Sequence, residues 1–284
     1  MKRVKVIIPL LLILLFVLNV PLSFGGAAED RLLEKMKTTV KPKEPLLTPG
    51  IKIEGIYKPG KAAEIGLVEI VQGDGFVVHQ GEMIAYKAKK GQSLHMGDTL
   101  VTGEKSRIQA RLNDQSSISI ADHSKLILSR IQFSASEKKR NSAYFLFFGR
   151  VRFAMTKLLG TSQIKTPTAV CGVRGSDFAL MVAPKDDEYG MLRRIVSELS
   201  FVRDAHAQAQ IGLLTAVVTG ANTTVSFGGV AGAVQTVGAF SVSSAAAGAA
   251  AAVPAVVGAA AAGAALEAVG PGLAIAKMPA YMEQ

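Results

Sequence analysis

Arg174 lies between two glycines in the stretch Lys165-Thr166-Pro167-Thr168-Ala169-Val170-Cys171-Gly172-Val173-Arg174-Gly175-Ser176-Asp177-Phe178. Its guanidinium offers five donors in a fixed plane and stays charged in any protein setting. Gly172 and Gly175 permit backbone angles and close approaches that a side chain would forbid, and Pro167 biases Thr166 toward an extended conformation. The segment is expected to run as extended chain, sharp turn, extended chain. Arg174 is expected to hold that turn by bonding backbone carbonyls or a carboxylate such as Asp98, Asp114 or Asp177, a structural role ahead of a ligand contact.

The other reactive residue types carry weaker patterns. Cys171 is the only cysteine, so no disulfide can form within the chain, and it is expected to be a buried, small apolar residue. His79, His95, His123 and His206 stand far apart without a pair at three or four residues and without a carboxylate companion at metal-ligand spacing, and ordinary surface or sheet positions are expected for them. No metal site is assigned. Asp74, Asp98, Asp114 and Asp122 fall at turn signals, where a carboxylate bonds its own backbone. The sequence contains no Gly-x-Ser-x-Gly elbow, phosphate loop, His-Glu-x-x-His or dinucleotide fingerprint, so neither a catalytic residue nor a cofactor is assigned.

The elements that must position these residues are read from periodicity. Arg107-Ile108-Gln109-Ala110-Arg111-Leu112 alternates polar and apolar residues, as does Ser117-Ile118-Ser119-Ile120 after the Asn113-Asp114 turn. Period two predicts strands with Ile108, Ala110, Leu112, Ile118 and Ile120 buried and their polar neighbours outward. Arg150-Val151-Arg152-Phe153-Ala154-Met155 predicts a strand with Val151, Phe153 and Met155 inward and both arginines in solvent. Turn signals recur at Gly73-Asp74-Gly75, Gly91, Gly97-Asp98, Gly103 and Gly149. The predicted class is all-β, a sandwich, barrel or short solenoid of many short strands over 66–243. Met191, Leu192, Ile195, Val196, Leu199 and Val202 recur at three and four residues, which predicts one amphipathic helix inserted over 186–210. Before this body, 28–65 reads as a short helix around Asp30 to Lys37, a Pro- and Lys-rich linker and one strand-like piece from Ile51 to Ile56. After it, 244–284 reads as a loose Ala- and Gly-rich tail.

Lys2, Arg3 and Lys5 precede an uncharged run from Val6 to Ala28 that ends in small residues, the pattern of a secretory signal peptide over 1–27. A retained membrane anchor is the competing reading. Removal of the segment leaves 29 basic residues against 22 acidic ones, a charge of +7 instead of +10. The basic residues are dispersed, Arg140, Arg150 and Arg152 among them, without the clustering and interleaved aromatics of a nucleic-acid surface.

Several motifs in fixed order resemble a known family. Gly66-Leu67-Val68, then Gly91-x-x-Leu94-x-x-Gly97-Asp98-x-Leu100-x-Thr102-Gly103, then Ser106-Arg107-x-x-x-x-Leu112-x-Asp114-x-Ser116, Gly149-Arg150-Val151 and Thr166-Pro167-Thr168-Ala169-Val170-x-Gly172-Val173-Arg174-Gly175-Ser176-x-Phe178 together look like a FecR domain from about Gly66 to Val182. The resemblance implies a mostly β periplasmic module. In iron-uptake regulators of this family, the module lies behind a cytoplasmic anti-sigma region and a membrane helix and receives a signal from an outer-membrane transporter. Here the apolar run begins at Val6, so this chain is expected to lack an anti-sigma region and to resemble the free-standing exported members. Ser176 stands where the family more usually has threonine. The expected function is non-enzymatic binding or scaffolding of another envelope protein, with no nucleic-acid partner. Binding to wall glycan or an anionic surface, and an uncharacterised periplasmic hydrolase, are the alternatives.

Overall fold

The computed structural model describes residues 27–39, 41–42, 45–173, 175, 177–184, 213–221, 223, 225–229, 234–246 and 254–270. Arg174, Ser176, the helix expected over 186–210 and the apolar run up to Gly26 lie outside the described residues.

Helix α1 (Ala27–Lys37) comes first, with Glu29 and Asp30 in its first turn and Lys35 and Lys37 in its last, each charge matched to the nearer pole of the helix dipole. It is followed by β1 (Lys52–Glu54), β2 (Glu64–Gln72), β3 (Gly75–Val78), β4 (Ile84–Lys87), β5 (Ser93–His95) and β6 (Thr99–Thr102). Next come β7 (Arg107–Leu112), β8 (Ser117–Ile120), β9 (Lys125–Ser134), β10 (Lys139–Ala154), β11 (Ser162–Lys165) and β12 (Ala169–Val173). The remaining strands are β13 (Asp177–Pro184), β14 (Leu213–Thr219), β15 (Val225–Gly229), β16 (Gln235–Val237), β17 (Ser241–Ala246) and β18 (Ala255–Val256), and α2 (Ala259–Val269) ends the described chain.

The strands form two sheets that share β10. One runs β1, β4, β3, β6, β9, β10, β11, β12, β15, β16. The other runs β5, β2, β7, β8, β10, β13, β14, β17, β18. Pairing is antiparallel except at β1–β4 and β10–β11. One continuous apolar core draws Leu100, Leu126, Ile164 and Phe227 from the first sheet and Val68, Leu112, Val151 and Val217 from the second, so the architecture is a sandwich. Phe153 stands directly opposite Phe178 across β10 and β13, with ring centroids 5.3 Å apart.

The change of sheet within β10 happens at Gly149. Up to Phe148 the strand pairs with β9; from Gly149 it pairs with β13, and from Val151 with β8 as well. Gly149 has φ +97°, and a Cβ there would meet Ser124 Oγ, Cα and Cβ at 2.1–2.6 Å. What reads as a turn signal in the sequence is a bend inside one 16-residue strand.

Ile108, Ala110, Leu112, Ile118 and Ile120 are all buried, as are Val151, Phe153 and Met155. The expectation that the alternate residues face solvent is corrected: Gln109, Ser117, Ser119, Arg150 and Arg152 are buried too. The outer face of the second sheet is covered by helices. Arg150 donates to the Met36 carbonyl at 2.8 Å, satisfying an end of α1, and pairs with Asp122. Arg152 grips Asp177 with two bonds of 2.9 and 2.8 Å, and its third nitrogen donates to Glu267 and to the Gly270 carbonyl at the end of α2. Arg140, also expected in solvent, is buried against Asp114, Ser116, Ser162 and the Thr156 carbonyl.

The expectation of a loose tail over 244–284 is corrected for its described part, while 247–253 and 271–284 lie outside the described residues. Ala259 to Val269 is helical, with Ala262, Ala265, Leu266 and Val269 buried against the core and α1 alongside. Alanine is the strongest helix former, and its small side chain lets a helix lie close to its neighbours. Among the described residues no helix is long and apolar enough to cross a membrane.

Gly149→Ala combines a left-handed backbone with a clash on Ser124, and should lower unfolding free energy by about 2–4 kcal/mol in urea titration. Asp122 supplies a pH dependence. Burial opposes its ionisation, but hydrogen bonds from Thr39 and Arg150 and the Arg150 charge prevail and hold its carboxyl below the ordinary 3.8. A carboxyl shifted this way adds stability that is present above 3.8 and is lost as pH falls through the lower folded-state value. Asp122→Asn should therefore be less stable than wild type near neutrality, with the gap closing below 3.8; urea midpoints measured across the acid range check both.

Candidate functional site

His79, His95 and Asp98 converge at three strand ends. β3 pairs with β6 so that Val78 faces Thr99, which sets His79 beside Asp98. β5 ends at His95, and the turn through Met96 and Gly97 (φ +89°) returns the chain, with the Asp98 N–H bonded to the His95 carbonyl. Asp98 Oδ2 accepts the His95 backbone N–H at 2.7 Å, as an aspartate at a tight turn does. The three side chains are 4%, 5% and 1% exposed, and their ligand atoms lie within 4.8 Å of one another.

The bonding of His79 is distinctive. Its Nδ1 lies 2.7 Å from Asp98 Oδ1, and its Nε2 lies 2.8 Å from the Lys58 carbonyl, which can only accept. Nε2 therefore carries hydrogen, and a proton is shared between Nδ1 and the carboxylate. His95 Nδ1 has looser surroundings, 3.9 Å from Asp98 Oδ2 and 3.4 Å from the Tyr57 hydroxyl. That hydroxyl is engaged with the Ser93 carbonyl at 2.7 Å.

A strap from Tyr57 to Lys61 lies over the two imidazoles. Gly60 makes the approach feasible: a Cβ at that position would lie 2.9 Å from His79 Nδ1 and 3.0 Å from His95 Cγ. Tyr57, Tyr86 and His95 surround the His79 ring with centroids 5.3–5.6 Å away. Beside the strap opens a pocket of ≈460 Å³ that reaches His79, His95 and Asp98 and is bordered by Gly60, Gln80, Glu82 and Met96.

Burial dominates the electrostatics. It would lower the affinity of His79 for a proton, but the bonds to Asp98 and the Lys58 carbonyl outweigh it and the pKa is raised above 6.5. Burial raises Asp98 above 3.8 despite the bonds from His79 and the His95 backbone. Burial and the neighbouring Asp98 and Glu64 charges push the Tyr57 phenol up to about 12. The cluster can hold a proton between imidazole and carboxylate, or offer two imidazole nitrogens and a carboxylate oxygen to a cation.

The expected motif residues are spread through the sandwich. Asp98 belongs to this cluster, while Asp114 accepts the Ser116 N–H and pairs with Arg140. Gly103 donates its N–H to the Asp74 carbonyl, which extends the pairing of β3 with β6 by one step beyond Gly75 and Thr102. Gly172 and Val173 lie inside β12, Gly175 (φ +69°) lies between β12 and β13, and Phe178 is in the core. Gly172 is thus a strand residue facing Gln163 and Ser226, in place of the turn glycine expected. The three carboxylates considered for Arg174 are engaged with His79, Arg140 and Arg152. Cys171 is buried as expected, and burial raises its thiol pKa. His95 is a sheet residue, at the end of β5, but the expectation that these histidines lack a carboxylate companion is corrected: His79 and His95 are buried around Asp98. His95-x-x-Asp98 was the one sequence signal at that site; a search for histidine pairs passes over it.

Known proteins give a limited comparison. Two crystal structures of a "putative anti-sigma factor from Parabacteroides distasonis ATCC 8503", at 1.65 and 2.50 Å resolution, each align at 14% identity with a TM-score of 0.36 over 51% of this chain. The alignment spans about half of that protein, 53%. A comparison with curated proteins finds no match. Residues 98–191, about a third of the chain, match the family described as FecR protein, a segment that starts at Asp98 and includes β6 to β13.

Proposed function

We propose that this chain is an exported, non-enzymatic FecR-domain protein that binds and scaffolds another protein of the cell envelope. The FecR match supports a regulatory or binding role, since proteins of this family signal instead of catalysing reactions. The basic start followed by an apolar run supports export.

The observation that carries the binding reading is the free edge at β1. This strand pairs with β4 on one side, where the Lys52 N–H meets the Met83 carbonyl at 3.0 Å, and has no described strand on the other. Ile53 and Ile56 beside that edge are 60% and 80% exposed, and Met83 is exposed as well. A free strand edge with apolar side chains is suited to accept an extended segment through main-chain bonds, while the side chains select its sequence. Below the edge, a pocket of ≈380 Å³ bordered by Leu46, Ile51, Val78, Met83 and Ile127 could seat a side chain of such a segment.

Crosslinking in the native envelope should recover a specific protein with wild type. The double variant Ile53→Lys/Ile56→Lys should recover less than about a fifth as much, with stability changed by no more than about 0.5 kcal/mol because both side chains are exposed. No specific envelope protein with wild type, or equal capture by the double variant, would count against the reading.

A further inference from the structure

We propose that His79, His95 and Asp98 bind one divalent transition-metal ion of the zinc class. The inference is independent of the binding reading above, because it rests on three buried side chains and needs no partner at the β1 edge.

The first argument is the donor set. Two imidazole nitrogens and one carboxylate oxygen suit zinc and its neighbours and are poorly matched to calcium or magnesium, which prefer oxygen. Three protein ligands leave a fourth tetrahedral position for water or a small solute. The pocket bordered by Gly60, Gln80 and Glu82 reaches all three side chains and supplies the path to that position.

The second argument is orientation. A histidine that ligates a metal usually donates its other ring N–H to a carbonyl or carboxylate, which fixes the tautomer. His79 already has this arrangement: Nε2 is committed to the Lys58 carbonyl at 2.8 Å, which leaves Nδ1 turned toward Asp98. A carboxylate on one side and a carbonyl on the other give His79 two acceptors and no donor, so some cation must occupy the space at Nδ1. In the bonding described above it is a proton. A metal ion can take its place.

The third argument is distance. Ligands about 2.0–2.2 Å from a tetrahedral ion lie about 3.3 Å from one another. His79 Nδ1 and Asp98 Oδ1 are 2.7 Å apart, and one ligand atom from each of the three side chains lies within 4.8 Å of the other two. Changes of about 1.5 Å or less in these separations would complete the site. Among the described residues His95 Nδ1 has no short hydrogen-bond partner to give up: the Tyr57 hydroxyl is at 3.4 Å, and that hydroxyl is already satisfied by Ser93.

The test uses the full-length chain stripped with EDTA. Calorimetric titration with zinc chloride should give one ion per chain with a micromolar or tighter Kd, and cobalt(II) should develop the intense visible bands of a tetrahedral site. His95→Gln and Asp98→Asn should each weaken zinc at least tenfold, while His123→Gln should leave it unchanged; circular dichroism checks that each variant is folded. Should the two cluster variants fail to fold, ring resonances of the wild-type histidines decide, since zinc must shift those of His79 and His95. No one-to-one binding at 100 µM zinc, affinity undiminished in folded cluster variants, or ring shifts confined to other histidines would overturn the proposal.

Discussion

Desolvated guanidinium groups on β10 impose the constraint around which the sandwich is arranged. Arg140, Arg150 and Arg152 are all buried on one strand, and each faces a carboxylate: Asp114, Asp122 and Asp177 respectively. Taking such charges out of water costs several kcal/mol per ion, and the cost is offset only where the geometry also satisfies the remaining donors. Here one further nitrogen of each arginine goes to a main-chain carbonyl, of Thr156, Met36 and Gly270 respectively, while Arg150 Nε is left without a partner among the described residues. A lysine, with one ammonium head, could not span a carboxylate and a carbonyl on different elements in the same way. The arginines thus convert a costly burial into geometric specification.

That arrangement also joins the segment that matches the FecR family to what surrounds it. The three arginines and three carboxylates all fall within 98–191, whereas the Met36 and Gly270 carbonyls lie in the flanks on either side. Helices α1 and α2 are in contact with each other and together cover the outer face of the second sheet. The flanks are therefore part of the folded body. Glu267, which adds a carboxylate to Arg152 from α2, is the one acidic residue in that helix.

These relations explain which parts of the structure were legible in the sequence. Period two identified the strands through Ile108, Leu112, Ile118, Val151 and Phe153 because alternation is a property of each strand alone. It could not report that the opposite face is covered too, since the cover comes from residues 114 and 118 positions away. Arg150 and Arg152 therefore looked like solvent residues. The α2 sequence looked like a loose tail because its few large side chains give a weak amphipathic pattern, and small alanines acquire their meaning only against a neighbouring surface. Gly149 was visible as a special position, but whether it turns the chain or bends a strand depends on the pairing of both sides. The histidine cluster shows the same limit. His95 and Asp98 are adjacent in sequence terms, yet His79 reaches them through the β3–β6 pairing, and Lys58 completes the set from a strap with no periodic pattern.

The strap also places the two candidate sites in one segment of chain. Ile56, at the apolar edge of β1, is two residues from Lys58, whose carbonyl fixes His79, and four from Gly60, which rests against both imidazoles. A change at His79 that strengthens or releases its bond to Lys58 alters how firmly this stretch is held. A partner strand on β1 would order the same stretch from the other end. If occupancy of one site changes affinity at the other, the effect must be equal in both directions, because the coupling belongs to the shared segment and not to either ligand. The direction follows from the bonding: an ion on Nδ1 leaves the Nε2–H free to keep its bond to the Lys58 carbonyl, so it is compatible with the ordered strap. The edge of β1 and the buried histidines are in this sense two ends of one element.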